Sequence, residues 1–235
     1  LLGVEPDLDC HNPHQAVAAL KAAALVVALT PFSDGAVRDY ADVLLPITPF
    51  SETSGTFVNT EGRVQSFNGV VRPFGDARPA WKVLRVLGNL LDLPGFDQTS
   101  SEQVRDEIIP SGEGFVSGLG NGLNGVPPTL PVAIGGLQRI ADVPIHFADA
   151  LARRAPALQK TRDAAAPTAR LSAPTLATLG VTDGAQVRIR QANGEAVLTA
   201  RVDESVPDGC VRVAAGHAST ATLGEMFGAI NVERA

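Results

Sequence analysis

The stretch ADVLLPITPFSETSGTFVNTEGRVQ, residues 41–65, decides the fold class of this chain. Its first part, Ala41 to Pro46, is a short apolar run that a proline ends, which is typical of a parallel strand covered on both faces. Hydroxyl, carboxylate, amide and guanidinium side chains crowd the residues that follow. Ligands of open α/β sheets bind at the carboxyl ends of such strands. The stretch therefore predicts a strand followed by a polar binding loop.

The residues before this stretch alternate between helical and strand patterns. Residues 15–24 are helical, with Asn12 as the N-cap and Pro13 in the first turn. Residues 25–29 are a buried-strand run, and a short helix separates them from the next strand. Strand, helix and strand in this order imply a right-handed parallel crossover. We therefore predict an α/β fold in which residues 1–110 form a partial doubly wound parallel sheet domain.

The second half of the chain has a different pattern. Residues 111–167 begin with a stretch rich in glycine and proline, lack periodicity, and predict an irregular connection. Residues 168–235 contain short alternating runs that predict a small mixed β-barrel. Asn193-Gly194 lies between two such runs and predicts a hairpin, because a type I′ turn needs positive φ at both positions.

Charge and composition exclude several classes of function. A net charge of −6 argues against nucleic-acid binding, which needs clustered cations. The most apolar segment, Ala22 to Phe32, has about half the length of a membrane-spanning helix, so we expect no direct membrane insertion. Cys10 and Cys210 have no second pair, which indicates neither a disulfide framework nor a zinc ribbon and fits a reducing cytoplasm. The chain opens at Leu1 within an apparent strand end, which predicts a fragment of a longer protein.

The polar strand-and-loop stretch also carries a family resemblance. Residues 41–65 resemble the strand-and-loop signature of the molybdopterin oxidoreductase superfamily. Two further segments, residues 66–96 (SFNGVVRPFGDARPAWKVLRVLGNLLDLPGF) and 144–165 (PIHFADALARRAPALQKTRDAA), resemble the large iron–sulfur subunit of bacterial NADH:quinone oxidoreductase, respiratory complex I. The resemblance therefore implies the C-terminal portion of such a subunit.

The resemblance assigns cofactor-binding residues to the polar loop. In molybdenum-containing relatives, such loops hold a pterin dinucleotide, whose phosphates and ring nitrogens need N–H, amide, hydroxyl and guanidinium groups. The residues carried over are Glu52, Gly55, Thr56, Asn59, Glu61, Arg63 and Gln65. The alternative is a self-satisfied loop, in which Asn59 and Thr60 bond the local backbone and Glu61 pairs with Arg63. The complex I subunit resembles the molybdoenzymes in fold but is thought to carry no molybdenum cofactor, so the resemblance implies a vestigial pocket, with no metal.

The predicted barrel carries a second group of assigned residues. Residues 177–190 (ATLGVTDGAQVRIR) and 206–219 (VPDGCVRVAAGHAS) resemble the C-terminal double-psi β-barrel of the same superfamily. The matching turn in molybdoenzymes faces the cofactor, so the resemblance assigns His217 and Ser219 as contacts. Gly216 and the helix N-terminus predicted there can present N–H groups to an anion. The alternative is a histidine that only caps or packs a barrel turn.

Three further patterns have plainer explanations. Residues 7–14 contain cysteine, histidine and aspartate at a spacing that suits neither zinc nor c-type haem, and they predict a solvated loop. Residues 120–125, GNGLNG, match the dinucleotide fingerprint by letter, but prolines follow where a helix is required. We interpret the basic neighbourhood as subunit contacts or solvent cover, and it comprises Arg139, Arg153, Arg154 and Arg162.

The sequence shows no carrier for redox chemistry, because two isolated cysteines cannot hold an iron–sulfur cluster. The resemblance to the complex I subunit implies 4Fe-4S and 2Fe-2S clusters in an N-terminal part of the parent protein, and no cofactor in these residues. We therefore expect a non-catalytic structural portion of a subunit that supports electron transfer from NADH to quinone, coupled to proton translocation. Its partners would be other peripheral-arm subunits, on the cytoplasmic side of the bacterial inner membrane. The alternative is the cofactor-binding C-terminal portion of a true molybdopterin oxidoreductase, similar to formate dehydrogenase.

Overall fold

The structure is a computed structural model that describes residues 1–109, 120, 122, 125 and 135–235. The chain divides into two compact units, each assembled from separate segments. The sheet unit comprises Leu1–Gly3, Val27–Asp34 and Asp42–Leu130. The barrel unit comprises Val4–Val26, Gly35–Ala41 and Pro131–Ala235.

Short helices and strands alternate along the chain. The α-helices are α1 (Pro6–Asp9), α2 (Pro13–Ala22), α3 (Val37–Tyr40), α4 (Ala80–Leu90), α5 (Ser101–Ile108), α6 (Ala150–Arg153), α7 (Pro156–Gln159) and α8 (Ala173–Thr178). The β-strands are β1 (Val27–Thr30), β2 (Val43–Pro46), β3 (Gly55–Val58), β4 (Val64–Phe67), β5 (Leu137–Ile140), β6 (Ala169–Leu171), β7 (Gln186–Gln191), β8 (Gly194–Val202), β9 (Cys210–Arg212) and β10 (Gly228–Arg234). Turns of 3₁₀ helix lie at Phe50–Glu52, Ile145–Phe147 and Arg162–Ala164.

In the sheet unit, β1 and β2 form the predicted parallel pair. Leu2 bridges to Leu29 of β1, so β1 lies between β2 and the first residues of the chain. The prediction that β2 is covered on both faces is wrong, because Val43 at its start is 41% exposed. The buried strand is instead the inner strand β1, in which Ala28 is 2% exposed. The doubly wound arrangement stays a prediction.

The polar stretch after β2 contains a hairpin that the sequence analysis did not predict. Strands β3 and β4 pair antiparallel, with Gly55 opposite Phe67 and Val58 opposite Val64. The tip closes where the Gly62 N–H donates to the Asn59 carbonyl oxygen at 2.9 Å, and Gly62 has a φ of 79°. The expectation of a continuous loop is therefore wrong in part. Each strand has only four residues, too few to show the alternation that identifies a strand.

The barrel unit contains a closed barrel with the strand order β10-β5-β9-β6-β8-β7. The pairs β5–β9 and β6–β8 are parallel, and the remaining pairs are antiparallel. Strand β10 closes the barrel, since Gly228 to Ile230 pair with β5 and Asn231 to Arg234 pair with β7. The small mixed β-barrel is thus confirmed, whereas its double-psi topology stays a prediction.

Alternating side chains fill the barrel interior. Val187 and Ile189 of β7 are fully buried, and they join a core that includes Leu171, Val211, Val213 and Leu223. The intervening side chains of β7 lie outside, where Arg190 pairs with Glu233 of β10 at 2.9 Å. This alternation is the pattern from which the strands were predicted.

Strand β5 lies inside residues 111–167, the segment predicted to be an irregular connection. Its sequence, Leu-Gln-Arg-Ile, does not indicate a buried strand, because its one buried residue is Arg139, which is 2% exposed. The barrel therefore includes a strand that lies outside residues 168–235. The predicted limits of the three domains otherwise stay predictions.

The hairpin between β7 and β8 is confirmed, but its predicted turn type is wrong. Gln191 pairs with Gly194, so the loop consists of Ala192 and Asn193, and the positive φ of 49° belongs to Ala192. Gly194 is needed for a different reason. A Cβ atom at this position would lie 1.8 Å from the carbonyl oxygen of Thr222. The glycine therefore lets another part of the backbone cross β8 at close range.

We expect Gly194→Ala to lower the free energy of unfolding by roughly 1–3 kcal/mol, because the added methyl group forces two backbone segments apart. Urea unfolding of the full chain, followed by circular dichroism, measures the change. Gly135→Ala is the matched control, since no atom lies within 4 Å of a Cβ at Gly135. Equal midpoints for the two variants would contradict the close approach.

Candidate functional site

The residues assigned by resemblance fall into two groups. His217 and Ser219 belong to the barrel unit, and the hairpin group belongs to the sheet unit. That second group consists of Glu52, Gly55, Thr56, Asn59, Glu61, Arg63 and Gln65.

Within the hairpin group, Asn59 serves the local backbone. Its side-chain oxygen accepts hydrogen bonds from the N–H groups of Glu61 at 3.0 Å and Arg63 at 2.8 Å, as the self-satisfied alternative predicts. The ion pair of Glu61 with Arg63 that the same alternative predicts is not found within the described residues. The side chains of Glu61, Arg63 and Gln65 are exposed and have no hydrogen-bond partner in the described part of the chain. These three side chains are available to a ligand.

The remaining polar side chains of the hairpin group are already bonded. A carboxylate oxygen of Glu52 accepts the Phe74 N–H at 3.0 Å. The hydroxyls of Thr56 and Ser66 lie 3.0 Å apart, and Ser66 also accepts from Arg105 at 3.2 Å. A cavity of about 350 Å³ beside them is lined by the start of β3, Trp81 of α4 and residues of α5. Hydroxyl groups and one arginine supply its polar surface.

In the barrel unit, the parallel strands β5 and β9 end at the same edge. Asp142 follows β5, and both oxygens of its carboxylate accept from Arg212 at the end of β9, at 3.2 and 2.9 Å. This hydrogen bonding holds the pKa of Asp142 below its usual range and raises the pKa of Arg212. Both strands then lead into the segments that carry Phe147 and His217. The edge therefore gathers charged and aromatic groups from two distant parts of the sequence.

A cavity of about 500 Å³ lies at this edge. Its lining includes Arg162, Arg170, Arg212, Asp142 and Asp163, a formal charge of +1 in all. Arg170 is only loosely paired, because its guanidinium lies 3.4 Å from the carboxylate of Asp203. The side chain of Arg162 has no hydrogen bond or ion pair within the described residues. The cavity therefore presents cationic groups that an anionic ligand can use.

Sequence reasoning missed most of these cavity residues. Arg170 and Arg212 each stand between two fully buried apolar residues, in Ala-Arg-Leu and Val-Arg-Val. That pattern could have identified the two arginines. Side chains alternate between the two faces of a strand, so a charged residue between two apolar residues lies on the outer face while its neighbours enter the core. Only the strand order shows that the two arginines share one edge.

His217 lies five residues after β9, outside the lining of this cavity but in a defined environment. Its ring packs edge-on against Phe147, with centroids 4.8 Å apart. The Ser219 N–H donates to Nδ1 at 3.1 Å, and the Ser219 hydroxyl lies 2.8 Å from the same nitrogen. Because Nδ1 accepts, the proton of the neutral ring is on Nε2. The Nε2–H group has no acceptor within the described residues and remains available to a ligand.

The backbone beside His217 leaves little room. Gly216 has a φ of 73°, and a Cβ at this position would lie 3.0 Å from a methyl carbon of Val143 and 3.4 Å from the carbonyl oxygen of Phe147. The segments after β5 and β9 are therefore in close contact. This contact fixes the place of the histidine that follows.

The interpretation of the basic neighbourhood as subunit contacts or solvent cover is wrong for three of its arginines. The Arg153 side chain is 9% exposed and pairs with Glu5 at 2.7 Å and with Asp9, while Arg154 pairs with Glu5 as well. These ion pairs join α1 to α6 within the barrel unit. Arg139 is buried in the barrel. Arg162 alone is exposed, and it lines the cavity.

The other sequence motifs do not add a site. Cys10 is exposed, and the ring of His11 stacks on Phe227 with centroids 6.3 Å apart. The described residues contain no group of three or more metal-ligating side chains. Three of the six residues of the GNGLNG motif lie outside the described residues. Within the part of the chain that the structure describes, no helix has the length and apolar character needed to cross a bilayer.

We expect the pKa of His217 to lie below 6.5, because burial disfavours the charged ring. The unfolded chain then binds the proton more tightly than the folded chain. The contribution of His217 to the free energy of unfolding is fully present above pH 6.5 and is lost as the pH falls through the folded-state pKa. Titration of the ring by NMR, with urea unfolding on both sides of that range, measures the effect. His217→Gln should remove this contribution, and a midpoint above 6.5 would contradict the prediction.

Two family models match separate parts of the chain. Residues 1–90 match the model described as Molybdopterin oxidoreductase, and residues 144–232 match the model described as Molydopterin dinucleotide binding domain. The second match includes β6 to β9, most of β10 and the segments that carry Phe147 and His217. The match therefore includes most of the residues that line the cavity, but it leaves out β5 and Asp142.

Individual relatives agree with these matches. A protein of Staphylococcus aureus strain MRSA252, provisionally named a formate dehydrogenase, is 39% identical over 69 residues, which are 29% of this chain and 7% of that protein. A protein of the same provisional name from strain USA300 is 41% identical over 71 residues, again 29% of this chain and 7% of the relative. The matched segments thus span a small part of the length of these relatives.

A solved structure supports the fold. Acetylene hydratase from Pelobacter acetylenicus superposes with a TM-score of 0.66 and 16% identity, covering 100% of this chain and 44% of the hydratase. The expected kinship with molybdopterin enzymes is confirmed, whereas no comparison supports the complex I subunit in particular. Residues 1–90 of this chain are thus similar to the molybdopterin oxidoreductase family, and residues 144–232 are similar to the dinucleotide-binding domain family.

Proposed function

We propose that this chain is the cofactor-binding portion of a molybdopterin oxidoreductase similar to formate dehydrogenase, and that its barrel unit binds part of a pterin dinucleotide. The arginine-lined cavity at the ends of β5 and β9 is the observation that carries this proposal. The relatives provisionally named formate dehydrogenase favour an enzyme of that type. The prediction that these residues hold no cofactor gives way to the alternative that the sequence analysis kept open.

The groups at this edge suit the chemistry of such a ligand. Guanidinium groups recognise phosphates, and the side chain of Arg162 has no competing partner within the described residues. The Nε2–H of His217 can donate to an acceptor of the ligand. The cavity of about 500 Å³ has the size of ordinary ligand sites and can hold part of a dinucleotide.

The bound molybdenum–pterin group would supply the electron transfer itself. The residues of this chain would bind and orient it. Arg162 and Arg170 would neutralise phosphate charge, while the pair of Arg212 with Asp142 keeps the Arg212 guanidinium at the rim of the cavity. His217 would donate one hydrogen bond as a neutral ring, because its Nδ1 is held by Ser219.

The sheet unit has candidate contacts of its own. Glu61, Arg63 and Gln65 keep their side chains free of partners within the described residues, so we propose them as the residues of the hairpin group that are available to a polar ligand. We also propose that β1 and β2 belong to a doubly wound sheet, and that the barrel has the double-psi topology. Both proposals rest on the family models that match residues 1–90 and 144–232.

A second function rests on the resemblance of residues 66–96 and 144–165 to the large iron–sulfur subunit of NADH:quinone oxidoreductase. In that case the edge would be a vestigial pocket. The partners would be peripheral-arm subunits on the cytoplasmic side of the inner membrane. The three arginines that line the cavity favour the first function, because guanidinium groups bind phosphates.

Metal and pterin content separate the two functions. The natural full-length protein that contains this chain should yield molybdenum or tungsten in stoichiometric amount by elemental analysis. Acid oxidation of the same sample should release a fluorescent pterin. A preparation with iron–sulfur clusters and neither pterin nor molybdenum would overturn the first function in favour of the second.

Arg162→Gln should weaken the binding of inorganic pyrophosphate to the full chain roughly tenfold, because one charge-assisted hydrogen bond is lost. Isothermal titration calorimetry at low salt measures the affinity. Arg188→Gln is the charge-matched control, since Arg188 lies on the outer face of the barrel at 36% exposure. An equal loss in both variants would mean that the chain attracts the anion only through its overall charge.

A further inference from the structure

Arg139 of β5 is a buried cation that the proposed function does not use. It is 2% exposed and lies opposite Val211 of β9 and Gly228 of β10. Burial lowers its pKa to about 10, which leaves the side chain protonated at neutral pH. A buried charge without compensation is unfavourable, so its partners must account for its presence.

Every hydrogen-bond partner of the Arg139 guanidinium within the described residues is neutral. Nη1 donates to the carbonyl oxygens of Glu225 at 3.1 Å and Gly224 at 3.4 Å, and to the side-chain oxygen of Gln191 at 3.0 Å. Nη2 donates to the carbonyl oxygen of Ala214 at 3.5 Å. Gln191 in turn donates to the Glu225 carbonyl at 2.8 Å. No carboxylate in the described part of the chain accepts from Arg139.

The three backbone acceptors share one place in the fold. They lie in residues 213–227, the segment between β9 and β10 that is called here the His217 connection. Ala214 stands near its start, and Gly224 and Glu225 stand near its end. The guanidinium therefore connects both ends of this connection to β5, and it also connects β5 to Gln191 at the end of β7. Gln191 reinforces the same contact, because its amide bonds both Arg139 and Glu225.

The middle of the connection depends on these ends. Thr220 N–H donates to the His217 carbonyl at 3.0 Å, and Leu223 N–H donates to the Thr220 carbonyl at 3.1 Å. These bonds form a chain of tight turns from His217 to Leu223, whose side chain is fully buried. A shift of either end would move the turn in which Ser219 holds Nδ1 of His217.

We propose that Arg139 is a positioning residue that holds the His217 connection in the conformation required for ligand binding. This inference rests on the proposed function, in which His217 contacts the cofactor. The planar guanidinium can reach several carbonyls at fixed angles, which the single ammonium of lysine cannot. An apolar side chain of similar volume would fill the same space without the desolvation of a charge. The charged guanidinium at this position is therefore explained by the hydrogen bonds that it donates to the carbonyl groups of the His217 connection.

The test uses the full isotope-labelled chain without added ligand. In Arg139→Met, we expect the hydrogen exchange of the Thr220 and Leu223 amides to accelerate roughly tenfold relative to that of Ile189 in β7. The ring nitrogens of His217 should also lose the single Nε2–H tautomer in their NMR shifts. Arg139→Lys should give the same two changes to a smaller degree. Arg188→Met, on the outer face of the barrel, should change neither readout.

A purely structural arginine would give a different result. Arg139→Met would then accelerate the exchange of Ile189, Thr220 and Leu223 by the same factor, and the tautomer of His217 would stay fixed. That outcome would overturn the proposal. If Arg139→Met does not fold, Gln191→Met decides by the same two readouts, because it removes one arm of the contact and leaves the arginine in place.

The proposed function can fail separately. If the unmodified chain does not bind pyrophosphate while Arg139→Met still frees the connection, the ligand is misassigned and the positioning role stands. If the unmodified chain binds pyrophosphate and Arg139→Met keeps both the affinity and the His217 tautomer, the positioning role is wrong and the proposed function stands.

Discussion

The barrel depends on one strand that changes its partner halfway. β10 pairs with β5 through its first three residues and with β7 through its last four, so the sheet closes on itself without a free edge. The change of partner places the start of β10 beside Arg139, because Gly228 lies opposite that residue. The chain that enters β10 must therefore cross the top of a buried cation. Carbonyl groups at the end of the entering segment accept hydrogen bonds from Nη1 of that cation, while its buried Nε has no partner within the described residues.

The cavity edge follows from the parallel pairing of β5 and β9. Parallel neighbours end on the same side, so the residues after both strands meet, although 70 residues separate Asp142 from Arg212 in the sequence. On the described strands of the barrel, the buried polar residues are Arg139 and Gln191, while charged groups line the cavity at this edge. Binding capacity thus arises where the ladder of strands stops and backbone groups are no longer committed to it.

Sequence reasoning succeeded where periodicity coincided with burial, as in β7, whose alternate residues are buried. It failed where a short strand carried an unexpected side chain: β5 was missed because its interior residue is an arginine. Asn193-Gly194 correctly predicted the position of a turn, but the reason was wrong. Glycine is needed at residue 194 because the backbone of Thr222, a residue distant in sequence, passes close to it. His217 was identified by resemblance, but its tautomer depends on the Ser219 N–H and could not be read from composition.

The ion pairs of Glu5 have a consequence for synthesis of the chain. Arg153 lies 148 residues after Glu5, so a ribosome that adds roughly 5–20 residues per second takes on the order of ten seconds or more to deliver the partner. Residues 4–26 belong to the barrel unit, whereas the segments on both sides of them belong to the sheet unit. During that interval, Glu5 and Asp9 lack the two arginines with which they pair in the folded chain. The contact between α1 and α6 therefore forms only after α6 has left the ribosome.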